Sequence, residues 1–305
     1  MRIQRLLFTT DFSECAERAF SHASHLAVRY ESELHVLNVT SPHRPSEEDP
    51  LGLLDLEPES EGLFSDAADP EEVDDVVVIH SRMTAHSPVA GILDYAEHHE
   101  IDLIVMGTHG RVGIDHLLSG SVAEDVVRHA ACPVLTVRCK DGAGWKDQVR
   151  RILVPVDFSE HTPVRTAIEL AHAYGAEVDL LHVIEEAVLP TIYGVEPLSP
   201  GAPLYVQRTE GALRKTIADL PTGDLTVRSH VRIGNPTRRI LEFAQEGGSD
   251  LIVLGSQGRT GLGKLLMGSV ADKVVRLADV PVFTAKWRAG ADRPSEAGRE
   301  VAASE

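Results

Sequence analysis

A glycine pattern that occurs twice constrains this 305-residue chain more than any other feature. Each copy has the form Gly-x2-Gly-x9-Gly-Ser, at Gly107, Gly110, Gly120 and Ser121 and again at Gly255, Gly258, Gly268 and Ser269. The copies lie 148 residues apart (107 to 255 and 120 to 268). Self-similarity at this length predicts two copies of a whole domain and excludes a solenoid of short repeats.

The surroundings of the glycines indicate what they do. Each copy follows an apolar run headed by aspartate, residues 102–106 and 250–254, which is typical of a buried strand. Each copy then enters a helix-like segment that opens with Val-Ala, at Val122 and Val270. Glycine lets backbone N–H groups approach an anion, and a helix N-terminus adds unpaired N–H groups and partial positive charge. The pattern therefore predicts a phosphate site in each half.

The match between the halves extends beyond the glycines. Three further pairs correspond, namely Asp11-Phe-Ser with Asp157-Phe-Ser, Leu34-His35-Val36 with Leu181-His182-Val183, and Cys132-Pro-Val with Val280-Pro-Val. Their offsets are 146, 147 and 148 residues (11 to 157, 35 to 182, 132 to 280). We therefore expect a domain at 1–140, a linker at 141–149, a second domain at 150–287 and a disordered tail at 288–305, each domain being of ordinary size.

Strand and helix patterns alternate through each half. Strands are predicted at 3–9, 33–39, 75–80, 101–106 and 133–138, and at 151–156, 177–184, 225–232, 250–254 and 281–286. Helices are predicted at about 14–30, 87–99 and 120–131, and at 160–174, 205–219, 236–246 and 268–278. This order predicts an α/β fold of two tandem doubly wound domains, each a five-stranded parallel sheet with helices on both faces. Ligands of such sheets bind beyond the carboxyl ends of the strands, where Asp157, Val183 and Gly255 are expected to meet.

These motifs together resemble the universal stress protein family, in its tandem two-domain form and its ATP-binding branch. The resemblance implies an adenine nucleotide alpha hydrolase-like fold and ATP, alone or with Mg²⁺, as the bound cofactor. It implies that Asp157 and the backbone of Val183 face the adenosine, while the glycines and serines hold the phosphates. The implied binding residues are Pro155, Asp157, Val183, Gly255, Gly258, Gly268 and Ser269, and in the first half Asp11, Val36, Gly107, Gly110, Gly120 and Ser121.

The two halves follow the family pattern unequally. The second half has Pro155 two residues before Asp157, and Gly234 ahead of Pro236. The first half has Thr9 and His86 at the positions matched to Pro155 and Gly234. Because an imidazole in place of a glycine crowds the ribose, we expect the first site to be the weaker one.

Several alternatives remain open at this level. Asp11 and Asp157 can be read as helix N-caps, as can Ser121 and Ser269 for the last helix of each half. The resemblance implies a nucleotide-dependent regulator of the stress response that passes a conformational signal to an unknown protein partner. A slow ATPase or autophosphorylating protein, and a nucleotide-free dimerisation scaffold, are the alternative functions. Neither catalytic residues nor metal ligands are predicted.

Composition indicates the setting of the protein. A formal net charge of −18 argues against direct binding to nucleic acid or to an anionic membrane. The chain has no apolar stretch of membrane-spanning length and no signal-like N-terminus, so we expect a cytoplasmic protein. Its three cysteines have no CxxC spacing, which predicts free thiols. The resemblance further implies an intramolecular pseudo-dimer through the last strands, around residues 135–137 and 283–285, with homodimers as an additional assembly.

Overall fold

The computed structural model of the protein describes residues 1–40, 76–108, 121–138, 148–159, 162–185, 203–256 and 267–286. The chain divides into two compact units, Arg2–Ala143 and Gly144–Glu305. Some predicted features lie outside the described residues, namely Gly110, Gly120, Gly258, most of the linker (141–147) and the tail (288–305).

The first unit is a five-stranded parallel sheet with helices. Its elements are β1 (Arg5–Thr9), α1 (Glu14–Tyr30), β2 (Glu33–Thr40), β3 (Val78–Thr84), α2 (Pro88–His98), β4 (Leu103–Gly107), α3 (Ser121–His129) and β5 (Val134–Val137). The strands follow the order β3-β2-β1-β4-β5, and every neighbouring pair is parallel.

The second unit repeats this architecture. Its elements are β6 (Arg151–Pro155), α4 (Val164–Tyr174), β7 (Glu177–Ile184), α5 (Pro203–Ala218), β8 (Val227–Ile233), α6 (Pro236–Glu246), β9 (Leu251–Gly255), α7 (Ser269–Leu277) and β10 (Val282–Ala285). The strand order is β10-β9-β6-β7-β8, again parallel throughout.

The connections explain why helices cover both faces of each sheet. In the first unit the chain leaves β1 toward one edge to form β2, and later leaves β4 toward the other edge to form β5. Because parallel crossovers are right-handed, helices on connections that run in opposite directions lie on opposite faces. In agreement, α1 packs on β1, β4 and β5, whereas α2 packs on β2 and on α3. The predicted doubly wound α/β fold is confirmed.

Burial on both faces shapes the strand sequences. The central strands have continuous apolar runs, Leu6–Phe8 in β1 and Leu103–Met106 in β4, and Leu6, Leu7, Leu103 and Ile104 are fully buried. The outer strand β3 instead alternates between half-buried and exposed residues. The prediction for this strand, 75–80, ends four residues too early, because polar residues such as Arg82 are tolerated in a strand with so little burial.

An aspartate in each unit ties two strands together at their amino ends. The Oδ2 atom of Asp102 accepts hydrogen bonds from the backbone N–H groups of Gln4 (2.8 Å) and Arg5 (3.2 Å). Asp250 does the same for Arg150 (2.9 Å) and Arg151 (3.0 Å). The aspartates that head the apolar runs therefore fix β4 beside β1 and β9 beside β6, at the edge of the sheet opposite the glycines.

The first helix of the second unit begins later than predicted. It was expected from residue 160 but starts at Val164, with Pro163 as its N-cap residue. A proline disfavours the helical conformation of the residue before it, so a helix does not readily run through Thr162 into Pro163. The corresponding helix of the first unit, α1, begins at Glu14 as predicted.

Helix α1 buries a histidine that the second unit lacks. His22 is 7% exposed, and burial, assisted by the nearby His25, lowers the pKa of its imidazole to about 4. Helices α1 and α4 both end on a left-handed residue, Glu31 and Gly175, which are 144 residues apart (31 to 175). By this spacing the position of His22 is taken in α4 by Thr166 (22 to 166), which does not titrate.

We predict that acid destabilises the first unit through His22. A histidine with a depressed folded-state pKa stays neutral in the fold but binds a proton when unfolded, so its contribution is complete above about pH 6.5 and is lost as the pH falls toward 4. Between pH 7 and 5 the expected loss in the free energy of unfolding is about 2 kcal/mol. Urea unfolding of wild type and of His22→Thr at several pH values measures this loss of stability. Equal pH dependence in both proteins would contradict the assignment.

Candidate functional site

The candidate site of each unit lies where the strand order reverses. In the first unit this point is between β1 and β4, and in the second between β6 and β9. Connections leave these neighbouring strands in opposite directions, so their carboxyl ends open a crevice that helices do not cover. Asp11 and Gly107 follow or end the two strands in the first unit, and Asp157 and Gly255 do so in the second.

The turn after β1 holds Asp11 in an exposed position. Its Oδ1 accepts a hydrogen bond from the backbone N–H of Ser13 at 3.2 Å. Ser13 is the N-cap residue of α1, and its Oγ accepts from the N–H of Ala16 at 3.3 Å. The alternative that Asp11 serves as the helix cap is therefore wrong.

Asp157 occupies the same position in the second unit and is held by several donors. Its Oδ1 accepts from the N–H of Ser159 (3.0 Å), from the Ser159 hydroxyl (2.7 Å) and from the Thr162 hydroxyl (2.6 Å). Because the N-cap residue of α4 is Pro163, Asp157 is not a helix cap either. Its half-buried carboxylate has a fixed orientation at the end of β6.

A phenylalanine with left-handed backbone follows the aspartate in both units. Phe12 has φ of 60° and Phe158 has φ of 58°. For a bulky residue this conformation costs roughly 1–3 kcal/mol and persists only where the surroundings impose it. Phe158 is buried, with its ring centroid 4.7 Å from that of His182. Sequence reasoning missed this strain, although the duplicated Asp-Phe-Ser marks its place.

The strand registers correct one predicted correspondence. Glu33 pairs with Arg5 and Glu177 with Arg151, and these partners are equivalent residues of β1 and β6. Equivalent residues of β2 and β7 are therefore 144 residues apart (33 to 177). The 147-residue match of Leu34-His35-Val36 with Leu181-His182-Val183 is wrong, because it rests on a chance recurrence of three letters.

Hydrogen bonds at the strand ends support the corrected register. The Nδ2 of Asn38 donates to the carbonyl oxygen of Thr10 at 2.8 Å, and the Nδ1 of His182 donates to that of Val156 at 2.7 Å. Asn38 thus takes the place of His182, and Val39 takes the place of Val183. Val36 lies inside the sheet, 4% exposed and paired with Phe8 of β1.

Gly107 at the end of β4 packs tightly against the start of helix α1. A Cβ added there would lie 3.0 Å from the carbonyl carbon and from the Cβ of Cys15, so α1 would have to shift slightly to accept a side chain. Cys15 is disulfide-bonded, so the prediction of free thiols is wrong for this residue. Cys132, by contrast, is a buried free thiol.

The last helix of the second unit begins against the end of β9. The N–H of Gly268 donates to the carbonyl oxygen of Ser256 at 2.9 Å, and Ser256 directly follows β9. Gly268 is the N-cap residue, and Ser269 is the first residue of α7, so the serine is not the cap. In the first unit Ser121 likewise begins its helix. The structure thus brings Gly255, Gly268 and Ser269 together at the end of β9, and Asp157 follows the neighbouring strand β6.

The turn that leads into α6 differs between the units by one residue. The N–H of Gly234 donates to Ile184 O (3.0 Å), and the N–H of Ala85 makes the corresponding bond to Thr40 O (2.9 Å). The following caps are Asn235 and, two residues after Ala85, Ser87. Ala85 therefore takes the position of Gly234, and His86 is an additional residue of the longer turn, so the predicted match of His86 with Gly234 is wrong. Gly234 has φ of 134°, whereas the longer turn of the first unit makes the connection without a positive φ at Ala85 or His86.

Two absences concern the described part of the chain. No helix there is both long enough and apolar enough to cross a membrane. Within the same residues, no group of three or more histidine, cysteine, aspartate and glutamate side chains is arranged to hold a metal ion.

The fold defines a tandem α/β protein in which a crevice recurs at the carboxyl ends of the strands of each unit. The model of the universal stress protein family matches residues 2–138 and again 148–286. The chain therefore belongs to the universal stress protein family, and the predicted membership is confirmed.

Individual relatives agree with this assignment. A universal stress protein of Mycobacterium tuberculosis is 28% identical over 212 residues, which cover 68% of this chain and 68% of that protein. One of Methanocaldococcus jannaschii is 35% identical over 142 residues, covering 45% of this chain and 82% of the relative. A crystal structure from Pseudomonas aeruginosa, described as a putative universal stress protein, shares the fold with a TM-score of 0.63 at 19% identity, covering 99% of this chain and 97% of that one.

We predict that a side chain at Gly234 destabilises the second unit, whereas the turn at Ala85 in the first unit already accepts one. Gly234→Ala places a Cβ about 3.0 Å from the Arg239 Nε atom and forces alanine into a positive φ. The expected loss in the free energy of unfolding is roughly 1–3 kcal/mol. The matched control is Ala85→Gly, for which we expect about 1 kcal/mol or less. Urea titrations of both variants measure the difference, and equal losses would contradict this account of the two turns.

Proposed function

We propose that this protein binds ATP, alone or with Mg²⁺, in the crevice of each unit, and most tightly in the second. The observation that carries the proposal is the start of α7, which the Gly268–Ser256 hydrogen bond holds against the end of β9, the strand that pairs with β6 ahead of Asp157. A helix N-terminus favours phosphate, and a fixed carboxylate accepts hydrogen bonds from ribose hydroxyls. Both groups lie at the carboxyl ends of neighbouring strands, which supports the proposal.

The strand order supports a definite orientation of the nucleotide. Going across the sheet, β9 ends at Gly255, β6 is followed by Asp157, and β7 carries Val183 near its end. Neighbouring strands are about 4.8 Å apart, so these three positions span roughly 10 Å. Phosphates beyond β9, ribose at β6 and adenine at the backbone of Val183 follow the order of groups along ATP. The corrected register gives Val39 the adenine position in the first unit.

Two differences favour tighter binding in the second unit. Asp157 is half-buried and receives three hydrogen bonds from Ser159 and Thr162, whereas Asp11 is exposed. The short Gly234 turn also follows β8 at the carboxyl end of the second sheet, while the first unit has the longer turn with His86 there. A preorganised site loses less conformational freedom on binding, and 1.4 kcal/mol corresponds to about tenfold in affinity.

The biological role that we propose is that of a nucleotide-dependent regulator of the stress response, located in the cytoplasm. A protein partner would distinguish chains whose crevices hold adenine nucleotide from chains whose crevices are empty. This role fits membership in the universal stress protein family. The domain limits 1–140 and 150–287, with a linker between them, are part of the same proposal.

Calorimetric titration with ATP tests the two sites separately. We expect wild type to bind in two phases, of which Gly258→Val removes the tighter, because a branched side chain blocks the approach of phosphate to the backbone. Gly110→Val, the matched change in the first unit, should remove only the weaker phase. Loss of the tighter phase in Gly110→Val, with Gly258→Val unchanged, would reverse the ranking, and absence of binding by wild type would refute ATP binding.

For the assembly we propose that the two units pair through their final strands as a pseudo-dimer within one chain. The proposal rests on the family resemblance and on the position of β5 and β10, each of which ends the strand order of its own unit. These short strands, Val134–Val137 and Val282–Ala285, consist of apolar residues and threonine.

Separately expressed halves test this arrangement. Residues 1–140 and 150–287 each keep a full five-stranded order, so we expect each half to dimerise or to bind the other. Sedimentation velocity of each half alone and of the mixture measures this. Two monomeric halves that do not associate would contradict the pseudo-dimer, whereas the ATP proposal is tested independently by titration of the full chain.

A further inference from the structure

A buried imidazole in the second unit contacts both neighbours of Asp157. His182 of β7 is 3% exposed, and its Nδ1 donates to the carbonyl oxygen of Val156 at 2.7 Å. Its ring centroid lies 4.7 Å from that of the buried Phe158. Val156 and Phe158 are the residues directly before and after Asp157. One side chain of the neighbouring strand therefore holds the chain on both sides of the carboxylate.

The two contacts act on different parts of the turn. The hydrogen bond fixes the peptide group ahead of Asp157, and because a carbonyl oxygen only accepts, it also fixes the imidazole tautomer with a proton on Nδ1. The ring packs on Phe158, whose φ of 58° is a conformation that a bulky residue keeps only where its surroundings impose it. His182 therefore stabilises the strained backbone that directs the Asp157 side chain.

The hydrogen bonds of Asp157 leave one of its two oxygens for a ligand. All three donors, the N–H and the hydroxyl of Ser159 and the hydroxyl of Thr162, bind Oδ1. Within the part of the chain that the structure describes, no donor contacts Oδ2. Because Oδ1 is held and the backbone is fixed on both sides, Oδ2 has a defined direction beyond the carboxyl end of β6. A carboxylate oxygen is an acceptor that suits a hydroxyl group of a ligand.

We propose that His182 is a positioning residue, which directs Asp157 Oδ2 at the ribose hydroxyls so that the second crevice recognises the sugar of its nucleotide. The inference rests on the ATP-binding function proposed above. A hydrogen bond from a hydroxyl to a carboxylate is stronger than one between neutral groups, and a carboxylate that is already oriented loses less freedom on binding. A nucleotide that lacks these hydroxyls leaves the oxygen unpaired and binds more weakly.

The first unit shows how the same turn is built without the imidazole. Asn38 takes the place of His182 and donates to the carbonyl oxygen of Thr10, but it has no ring to pack on Phe12. The N–H of Phe12 instead donates to the Thr10 hydroxyl at 3.0 Å. Val156, which corresponds to Thr10 at the offset of 146 residues (10 to 156), has no hydroxyl. The left-handed turn of the second unit therefore depends on His182 more than that of the first unit depends on Asn38.

Calorimetric titration of the full chain with ATP and with 2′,3′-dideoxy-ATP tests the proposal. For the tighter phase of wild type we expect ATP to bind about ten- to hundredfold more tightly than the dideoxy nucleotide, which is the effect of one hydrogen bond to a charged group. Asp157→Asn should remove most of this preference, because it replaces the charged acceptor with a neutral amide. The loss also identifies the phase as that of the second crevice.

Two variants of His182 separate its contacts. His182→Asn keeps a donor for Val156 and removes the ring, and asparagine already fits the matched position of the first unit. His182→Phe keeps a ring and removes the donor. We expect each variant to lower the ratio of the two affinities by about three- to tenfold, while the affinity for the dideoxy nucleotide changes by about twofold or less. A general loosening of the crevice would weaken both nucleotides alike and leave the ratio unchanged. His172→Asn, at an exposed histidine of α4, is the matched control and should behave as wild type.

The combination with Asp157→Asn shows whether His182 acts through that carboxylate. The double variant His182→Asn/Asp157→Asn should have the same ratio as Asp157→Asn alone, because the two residues serve one contact. A ratio that Asp157→Asn or His182→Asn leaves unchanged, or a further fall in the double variant, would overturn the positioning role. Absence of ATP binding by wild type would instead refute the proposed function.

Discussion

The pairing of β1 with β4, and of β6 with β9, is the constraint on which the rest of each unit depends. The crevice exists only because these strands are neighbours while their connections leave in opposite directions. Asp102 and Asp250 help to fix the pairing, since one carboxylate oxygen binds two consecutive backbone N–H groups of the adjoining strand. An interaction at the amino ends of the strands thus supports a site at their carboxyl ends, and the duplicated aspartate belongs to the architecture of the fold.

Much of the fold could be predicted because its signals are local or duplicated. Continuous apolar runs such as Leu6–Phe8 and Leu103–Val105 occur where both faces of a strand are covered, and they marked β1 and β4 within two residues. The weakly buried strand β3 was misplaced by three to four residues because half of its side chains are exposed. The start of α4 was predicted at residue 160, too early, because the helical pattern extends ahead of Pro163, whereas the helix begins only after this proline.

The candidate site was predicted less completely, for reasons that are not local. Val36 was matched with Val183 because Leu-His-Val occurs in both halves. The residue that corresponds to Val183 is Val39, and this follows only from which residues pair across the sheet. Similarly, the left-handed phenylalanines and the three donors to Asp157 depend on backbone geometry and on packing around the turn. Residue types indicate that a turn binds a ligand, but register decides which atoms face it.

The same structural role is filled by different interactions in the two units. Asn38 replaces His182 as the donor to a neighbouring carbonyl, and an extra residue replaces the positive φ of Gly234. At the aspartate turn, hydrogen bonds from Ser159 and Thr162 hold Asp157, whereas Asp11 accepts from the N–H of Ser13, which also caps α1. The same position of the fold is therefore held by different local contacts in the two units, so a substitution at one turn need not have the same effect at the other.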